Sequence, residues 1–294
     1  MSSELPRPRE ADSPKAPERA PESTRELIIR PRSGWISIDW RELWEARELL
    51  YFLVLRDIKV RYKQTVLGVA WAVLQPLFTM IIFTVIFGRF AKIPSDGLPY
   101  AVFVFAGLLP WTFFSNNISQ ASVSLVNQQS LLTKIYLPRV FVPASAIGSG
   151  LIDLTVSFVI FAGLMLYYQV SLSPRILAVP LLVLLTAAAS LGAGLALAAL
   201  IVTYRDFRYV VPFLIQSLLY LSPVIYPVSM VPVQWQPLLA LNPMGGIIDG
   251  FRSALLGLPW NPVTLIVSSI SALILLAYGL FYFRKTERVF ADVA

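Results

Sequence analysis

Residues 56–88 read RDIKVRYKQTVLGVAWAVLQPLFTMIIFTVIFG, and this stretch decides the fold class. Four basic residues lie within its first eight positions, just before an uncharged apolar run, and the next charge is Arg89. A hydrocarbon core of about 30 Å needs roughly 20 helical residues, so the run is long enough to span a membrane. Because a basic flank stays on the cytoplasmic side, the span is predicted to begin in the cytoplasm.

The composition is that of a protein that crosses the membrane several times. Hydrophobic residues make up 56% of the 294 residues and charged residues 14%, against about 25% charged residues in soluble domains. The chain has no cysteine and no histidine, which excludes disulfides, Ser-His-Asp catalysis and the usual zinc sites, so no metal site is expected. Most of the net charge of +7 lies beside apolar segments, which indicates lipid headgroups rather than nucleic acid.

Six long apolar segments predict six transmembrane helices in an all-α integral membrane protein. They lie at 66–88, 98–118, 142–168, 176–202, 209–228 and 262–283. Prolines interrupt the fifth segment, which neighbouring helices can tolerate. With both termini inside, 20 Lys and Arg residues face the cytoplasm and 4 face outward. The positive-inside rule therefore predicts cytoplasmic N- and C-termini.

The regions outside the spans suggest three further features. Residues 1–33, rich in Pro, Glu, Arg and Ser, predict a disordered cytoplasmic tail, and residues 34–294 form the transmembrane domain. Trp and Leu recur at helical spacing between about 39 and 60, which predicts an amphipathic helix at the membrane interface. The alternative is a helix packed on protein. The apolar stretch 229–260 is broken by Pro and Gly, which predicts two short re-entrant helices in the outer leaflet.

Four stretches together resemble a known family. They are LRDIKVRYKQTVLGVAWAVLQPLFTMIIFTVIFG at 55–88, LLTKIYLPRVFVPAS at 131–145, YRDFRYVVPFLIQSLLYLSPVIYP at 204–227 and LNPMGGIIDGFR at 241–252. In this order, with apolar segments between them, they resemble the permease subunit of type 2 ABC exporters over residues 40–285. The branch that exports O-antigen, capsule or teichoic acid chains is the most similar.

The resemblance implies a homodimer in the bacterial inner membrane, capped by two copies of a separate ATPase subunit. The chain itself contains no Gly-Lys pair and hence no G-x-x-x-x-G-K-[ST] phosphate loop. It is therefore expected to be a transport subunit without a cofactor, while ATP and Mg²⁺ bind the partner. Lipid-linked polysaccharide is the implied substrate.

Two alternatives to this function remain open. The first is a teichoic acid, lipid or drug exporter of the same superfamily. The second is a membrane-embedded transferase that acts on polyprenyl lipids. Such an enzyme usually needs clustered acidic metal ligands, whereas Asp96, Asp206 and Asp249 are isolated in the sequence.

The candidate substrate path consists of aromatic and amide side chains on two spans. On the first span, Trp71, Gln75 and Phe78 share one helical face. The fifth span repeats this mixture with Phe213, Gln216 and Tyr220. Such faces suit a sliding sugar chain because pyranose CH groups stack on aromatic rings, although aromatic residues are also common in plain helix packing.

Polar residues near the cytoplasmic ends are candidates for coupling to the ATPase. They are Arg56, Asp57, Arg61, Asn127, Lys134, Arg205 and Asp206. The pattern over 125–135 predicts a short amphipathic helix that resembles the coupling helix of the family. The alternatives are a helix lying on the membrane surface and, for the charged residues, simple anchoring to lipid phosphate.

Four other residues are candidates on the outer side and within the membrane. Asn242 precedes a proline and is predicted to cap the helix that carries Asp249 and Arg252, and these three are candidate residues of a periplasmic gate. Asp153 lies about ten residues into the third segment, where a charge costs about 2.5–3.5 kcal/mol. It is either functional, protonated, or hydrogen-bonded to its small neighbours.

Overall fold

Every regular element among the described residues is helical, so the predicted all-α class is confirmed. The structure is a computed structural model that describes residues 40–63, 66–132 and 137–287. Its α-helices are α1 Trp40–Glu45, α2 Arg47–Lys63, α3 Val66–Phe83, α4 Tyr100–Asn127, α5 Gln129–Leu132, α6 Phe141–Tyr167, α7 Val179–Thr203, α8 Phe207–Leu221, α9 Gln236–Leu241, α10 Pro243–Leu256 and α11 Pro262–Glu287. A π-helical segment, Thr84–Phe90, extends α3. Short 3₁₀ turns occur at Pro174–Ala178, Val228–Met230 and Val233–Trp235.

Five helical stretches are long and apolar enough to cross a membrane. They are Ala70–Phe90, Tyr100–Asn127, Phe141–Tyr167, Pro174–Thr203 and Pro262–Glu287. Each has at least the roughly 20 residues that a bilayer core requires. They match five of the six predicted segments, so the chain is a multi-pass membrane protein.

The fifth predicted segment, 209–228, contains a shorter helix than expected. Helix α8 has 15 residues and ends at Leu221. Ser222 is extended, with φ −101° and ψ 146°, because a residue that precedes proline is disfavoured in the α conformation. Pro223 therefore ends the helix, and the chain continues to Pro227 without helical structure.

Helix α4 is the centre of the bundle. Twenty of its 28 residues are buried, and it packs against α3, α6, α7, α8 and α10. By contrast, the span Ala70–Phe90 is only 11% buried. A helix buried on most sides is the expected core element, whereas the described residues leave most of the first span uncovered.

Helices α7 and α11 cross at two glycines. A Cβ atom added to Gly279 would lie 2.0 Å from the carbonyl oxygen of Gly192, and one added to Gly192 would lie 2.5 Å from the carbonyl oxygen of Leu275. Small residues permit this close backbone approach between membrane helices, which increases their van der Waals contact.

The predicted interface helix occurs as two helices, α1 and α2, separated at Ala46. Leu53 is buried on one side of α2 and joins the cluster that includes Phe141 of α6. Tyr51 and Phe52 remain exposed. The helix thus packs on protein through one face and leaves aromatic side chains free on another. The predicted tail lies outside the described residues.

Candidate functional site

The candidate path residues lie on two exposed faces. On α3, Trp71 is 60% exposed and Phe78 is 52% exposed, with exposed Gln75 between them. On α8, the three candidates are likewise exposed: Phe213, Gln216 and Tyr220. Both helices pack against α4, so their aromatic faces are available to a ligand, a second chain or lipid.

Arg56 and Asp57 join α2 to two other helices. Arg56 contacts Asp57 at 2.7 Å, and its Nη2 atom donates to Oε1 of Gln128 at the end of α4, at 2.6 Å. The second carboxylate oxygen of Asp57 accepts a hydrogen bond from Oγ of Ser145 on α6, at 2.7 Å. A displacement of α2 would therefore act directly on α4 and α6.

Asp153 forms an ion pair with Arg61 of α2, whose Nη1 atom binds Oδ2 of the carboxylate. The hydroxyl of Tyr62 donates to Oδ1 of Asp153, and Nη2 of Arg61 donates to Oε1 of Gln120 on α4. Burial, followed by the hydrogen bond to Asp153, raises the pKa of Tyr62 to about 12, so this hydroxyl remains a donor at neutral pH. The carboxylate in the third span is thus paired with a cation from α2.

The remaining coupling candidates lie at chain turns. Asn127 is exposed at the end of α4, and the four-residue helix α5 follows it after one residue. Over the described residues, the predicted amphipathic helix is therefore divided between the end of α4 and α5. Arg205 and Asp206 are exposed in the turn between α7 and α8. Lys134 lies outside the described residues.

Arg252 is buried, with 1% of its surface exposed, and it binds backbone carbonyls. Its donors reach the carbonyl oxygens of Pro223 at 2.6 Å, Val224 at 2.6 Å, Tyr226 at 3.2 Å and Phe103 at 3.3 Å. We call these four acceptors the carbonyl cluster. The guanidinium carbon also lies 3.7 Å from the ring centroid of Phe103. Arg252 thereby links α10 to the start of α4 and to the chain after α8.

The other two outer candidates surround the same segment. Oδ1 of Asn242 accepts a hydrogen bond from the backbone nitrogen of Met244 at 3.0 Å, which confirms the predicted cap of α10. Its Nδ2 atom donates to Oγ of Ser222 at 2.8 Å. Asp249 is partly buried, one turn before Arg252.

Several residues of these contacts were absent from the sequence-based candidates. Gln120 is an amide within a helix long enough to span a membrane, and this position was a usable signal. Tyr62, Gln128 and Ser145 carried no such signal, because their roles depend on partners that are distant in the sequence.

Comparison with known proteins establishes the family. The profile described as ABC-2 type transporter matches residues 48–256. The chain belongs to the ABC-2 type transporter family. The match begins in α2 and ends at the last residue of α10, so it includes all the contacts described above except those of α11.

Curated relatives of this ABC-2 transporter chain include proteins named for O-antigen export and for polysialic acid transport. An O-antigen export system permease protein RfbA of Myxococcus xanthus is 30% identical over 215 residues, 72% of this chain and 82% of the relative. A protein of the same name from Klebsiella pneumoniae is 26% identical over 247 residues, covering 84% and 95%. The polysialic acid transport protein KpsM of Escherichia coli is 28% identical, covering 80% and 92%.

Proposed function

We propose that this chain is the transmembrane subunit of an ATP-driven exporter that moves lipid-linked, O-antigen-like polysaccharide outward across the bacterial inner membrane. The observation that carries the proposal is the similarity to O-antigen and polysialic acid permeases over 72–84% of the chain. The family match and the five long apolar helices agree with a transport subunit.

The proposed topology has six spans with both termini in the cytoplasm, and α8 makes the fifth crossing. Nη1 of Arg139, between α5 and α6, donates to the carbonyl of Glu287 at the end of α11, at 2.9 Å. Nη1 of Arg175, before α7, donates to the carbonyl of Leu258, before α11, at 2.8 Å. These two contacts join loops at opposite ends of the long helices.

The same contacts support the proposed crossing between α7 and α11. Helix α7 leads away from the end that holds Arg175, and α11 begins again near that end. The chain must therefore return between Thr203 and Leu258. The 15 residues of α8 rise about 22 Å at 1.5 Å per residue. The turns and bends of residues 222–227 follow α8 within this proposed crossing.

The proposed active assembly is a homodimer of this chain with two ATPase subunits. The aromatic faces of α3 and α8 are the surfaces on which a second copy encloses the glycan path. They are rich in rings and amides, so they offer stacking without fixed charges that would retain a moving polymer. Helices α9 and α10 form the proposed re-entrant outer segment, and the carbonyl cluster fixes it to α4.

The ATPase is proposed to act through α2 and the exposed cytoplasmic turns. Asn127, Arg205 and Asp206 are exposed and available for its surface. Arg56 and Asp57 carry a displacement of α2 to α4 and α6 through the hydrogen bonds to Gln128 and Ser145. ATP and Mg²⁺ belong to the partner in this scheme.

Copurification and glycan-stimulated ATPase activity test the proposal. The full-length chain is expressed with candidate ATPase subunits, and the complex is reconstituted with lipid-linked glycans. We expect a complex of two chains and two ATPases whose hydrolysis rate rises with lipid-linked polysaccharide. Stimulation by a simple lipid or a teichoic acid alone would instead support the alternative exporters.

A further inference from the structure

A cavity lined by both polar and apolar side chains lies between α2, α3, α4 and α6. Its volume is about 340 Å³, within the range of about 300–1,000 Å³ that is common for small-ligand sites. Trp71 and Gln75 of α3 line it, and both are exposed. Asn117 and Gln120 of α4 and Asp153 of α6 form its deeper walls. This cavity is formed within one chain, and it shares Trp71 and Gln75 with the proposed path on α3.

Asn117 is the residue that points to a ligand. It is fully buried, with 0% exposure, and it lines the cavity. Neither its Oδ1 nor its Nδ2 atom has a hydrogen-bond partner among the described residues. A buried amide without partners costs free energy, and a ligand that hydrogen-bonds to it would offset this cost. Gly150 makes room for it, since a Cβ atom there would lie 2.1 Å from Oδ1 of Asn117.

The charges in the cavity select a neutral ligand. Arg61 and Asp153 both line it, and they neutralise each other in one ion pair. A phosphate would meet the carboxylate of Asp153 together with a guanidinium that is already bound. Uncharged amides and the Trp71 ring remain available. Amides that bind hydroxyls, beside an aromatic ring that stacks on CH groups, favour a sugar over a lipid phosphate.

We propose that this cavity binds one neutral pyranose residue of the exported glycan, with Asn117 as the buried hydrogen-bonding group and Trp71 as the stacking platform at the opening. The site rests on the proposed function, because it assumes a glycan substrate. It adds an intramolecular sugar site beside α2, where the Arg61–Asp153 pair connects the ligand to the helix that the ATPase is proposed to move.

Saturation-transfer NMR on the purified full-length chain in nanodiscs tests the site. The probes are the methyl α-glycosides of glucose, galactose and mannose, with inorganic pyrophosphate as the anionic competitor. We expect at least one glycoside to receive saturation and pyrophosphate to leave its signal unchanged. The variant N117L should weaken binding of that glycoside about tenfold, which corresponds to the loss of one or two hydrogen bonds. Its thermal midpoint should not fall below that of the wild type, because the unpartnered amide is removed.

Two further variants make the test independent of the buried position. Q75L changes an exposed residue at the opening of the cavity, so this variant should fold normally. It should still weaken binding of the glycoside several-fold. S122A is the matched control, because Ser122 is a buried polar residue of α4 that does not line the cavity. It should bind like the wild type.

Three outcomes would overturn the site. They are no saturation of any glycoside in the wild type, equal binding by N117L, Q75L and S122A, and displacement of the glycoside by pyrophosphate. Glycan-stimulated ATPase activity of the reconstituted complex is measured in parallel. If stimulation persists without glycoside binding, the site fails and the proposed function stands. If stimulation is also absent, the proposed function fails.

Discussion

Arg252 shows how a buried cation can be satisfied by backbone carbonyls, with no carboxylate of the described residues in contact with it. The planar guanidinium has five N–H donors in a fixed fork, and the carbonyl cluster receives four hydrogen bonds from them. Gly107 lies beneath it, since a Cβ atom there would be 2.7 Å from Nη2 of Arg252. The residue therefore acts as a link between backbone segments rather than as a free charge.

The substitution R252M should strongly destabilise the chain. It removes four hydrogen bonds and leaves buried carbonyls without a donor, which we expect to lower the free energy of unfolding by at least about 2 kcal/mol. Denaturant unfolding in micelles, followed by tryptophan fluorescence, measures this change. The matched control is R175M, because Arg175 also donates to a carbonyl but is exposed. Its effect should stay within about 0.5 kcal/mol. Equal losses in both variants would contradict this account.

At the scale of elements, α2 is held to the bundle by polar contacts as well as by Leu53. Such polar attachment suits a helix that has to transmit a displacement. A hydrogen bond or an ion pair is either formed or broken, so movement of α2 can switch the attachment between two discrete states.

The attachment of α2 is measurable by a double-mutant cycle on Arg61 and Asp153. The variants R61Q and D153N each leave one charge unpaired. The double variant should therefore lose less unfolding free energy than the two single variants lose in sum. The side chains are each 25% exposed, and we expect a coupling energy of about 1 kcal/mol in chemical unfolding. The control is the exposed pair Arg41–Glu45 within α1, whose coupling should not exceed about 0.5 kcal/mol. Indistinguishable values for the two cycles would argue against the ion pair.

Two glycine substitutions, one at the crossing of α7 and α11 and one in α6, should have opposite effects on stability. G279A places a methyl group against the backbone of Gly192 and should separate the helices, which we expect to cost about 2 kcal/mol or more. G163A lies in α6 with nothing within 4 Å of the new atom, so it should stabilise the helix by up to about 1 kcal/mol. Thermal unfolding in the same detergent compares them. A stabilising G279A would show that the close approach is dispensable.

Hydropathy alone predicted the long helices because a bilayer imposes length and apolarity on each span. It did not predict the early end of α8, since tolerance of proline in a span depends on neighbours, and here Ser222 becomes extended before Pro223. It also missed the partners of Asp153. Arg61 is 92 positions away, and its distance from the carboxylate is set by how α2 packs on α6.

At the scale of the whole molecule, the described residues leave two aromatic faces uncovered, on α3 and α8. These faces are the basis of a prediction for export. The substitutions W71A and Y220A should each reduce export roughly three- to tenfold by removing a stacking contact. Copurification with the ATPase should be unchanged, because both side chains are exposed. Surface polysaccharide is quantified in cells that express each variant.

The matched control for these two variants is F281A. Phe281 is an aromatic residue of α11 that is 54% exposed, and it belongs to neither candidate face. Export by this variant should equal that of the wild type. The proposed path would be refuted by full export from both W71A and Y220A, or by an equal loss from F281A.

The position of the carbonyl cluster also has a consequence for biogenesis. A chain that is synthesised from its N-terminus has already produced α4 and residues 222–227 when Arg252 leaves the ribosome. The acceptors therefore precede the cation in synthesis, so they already exist when α10 is made. A circular permutant that begins at α9 would reverse this order. Arg252 would then be made before its acceptors, and an unpaired arginine is costly in apolar surroundings.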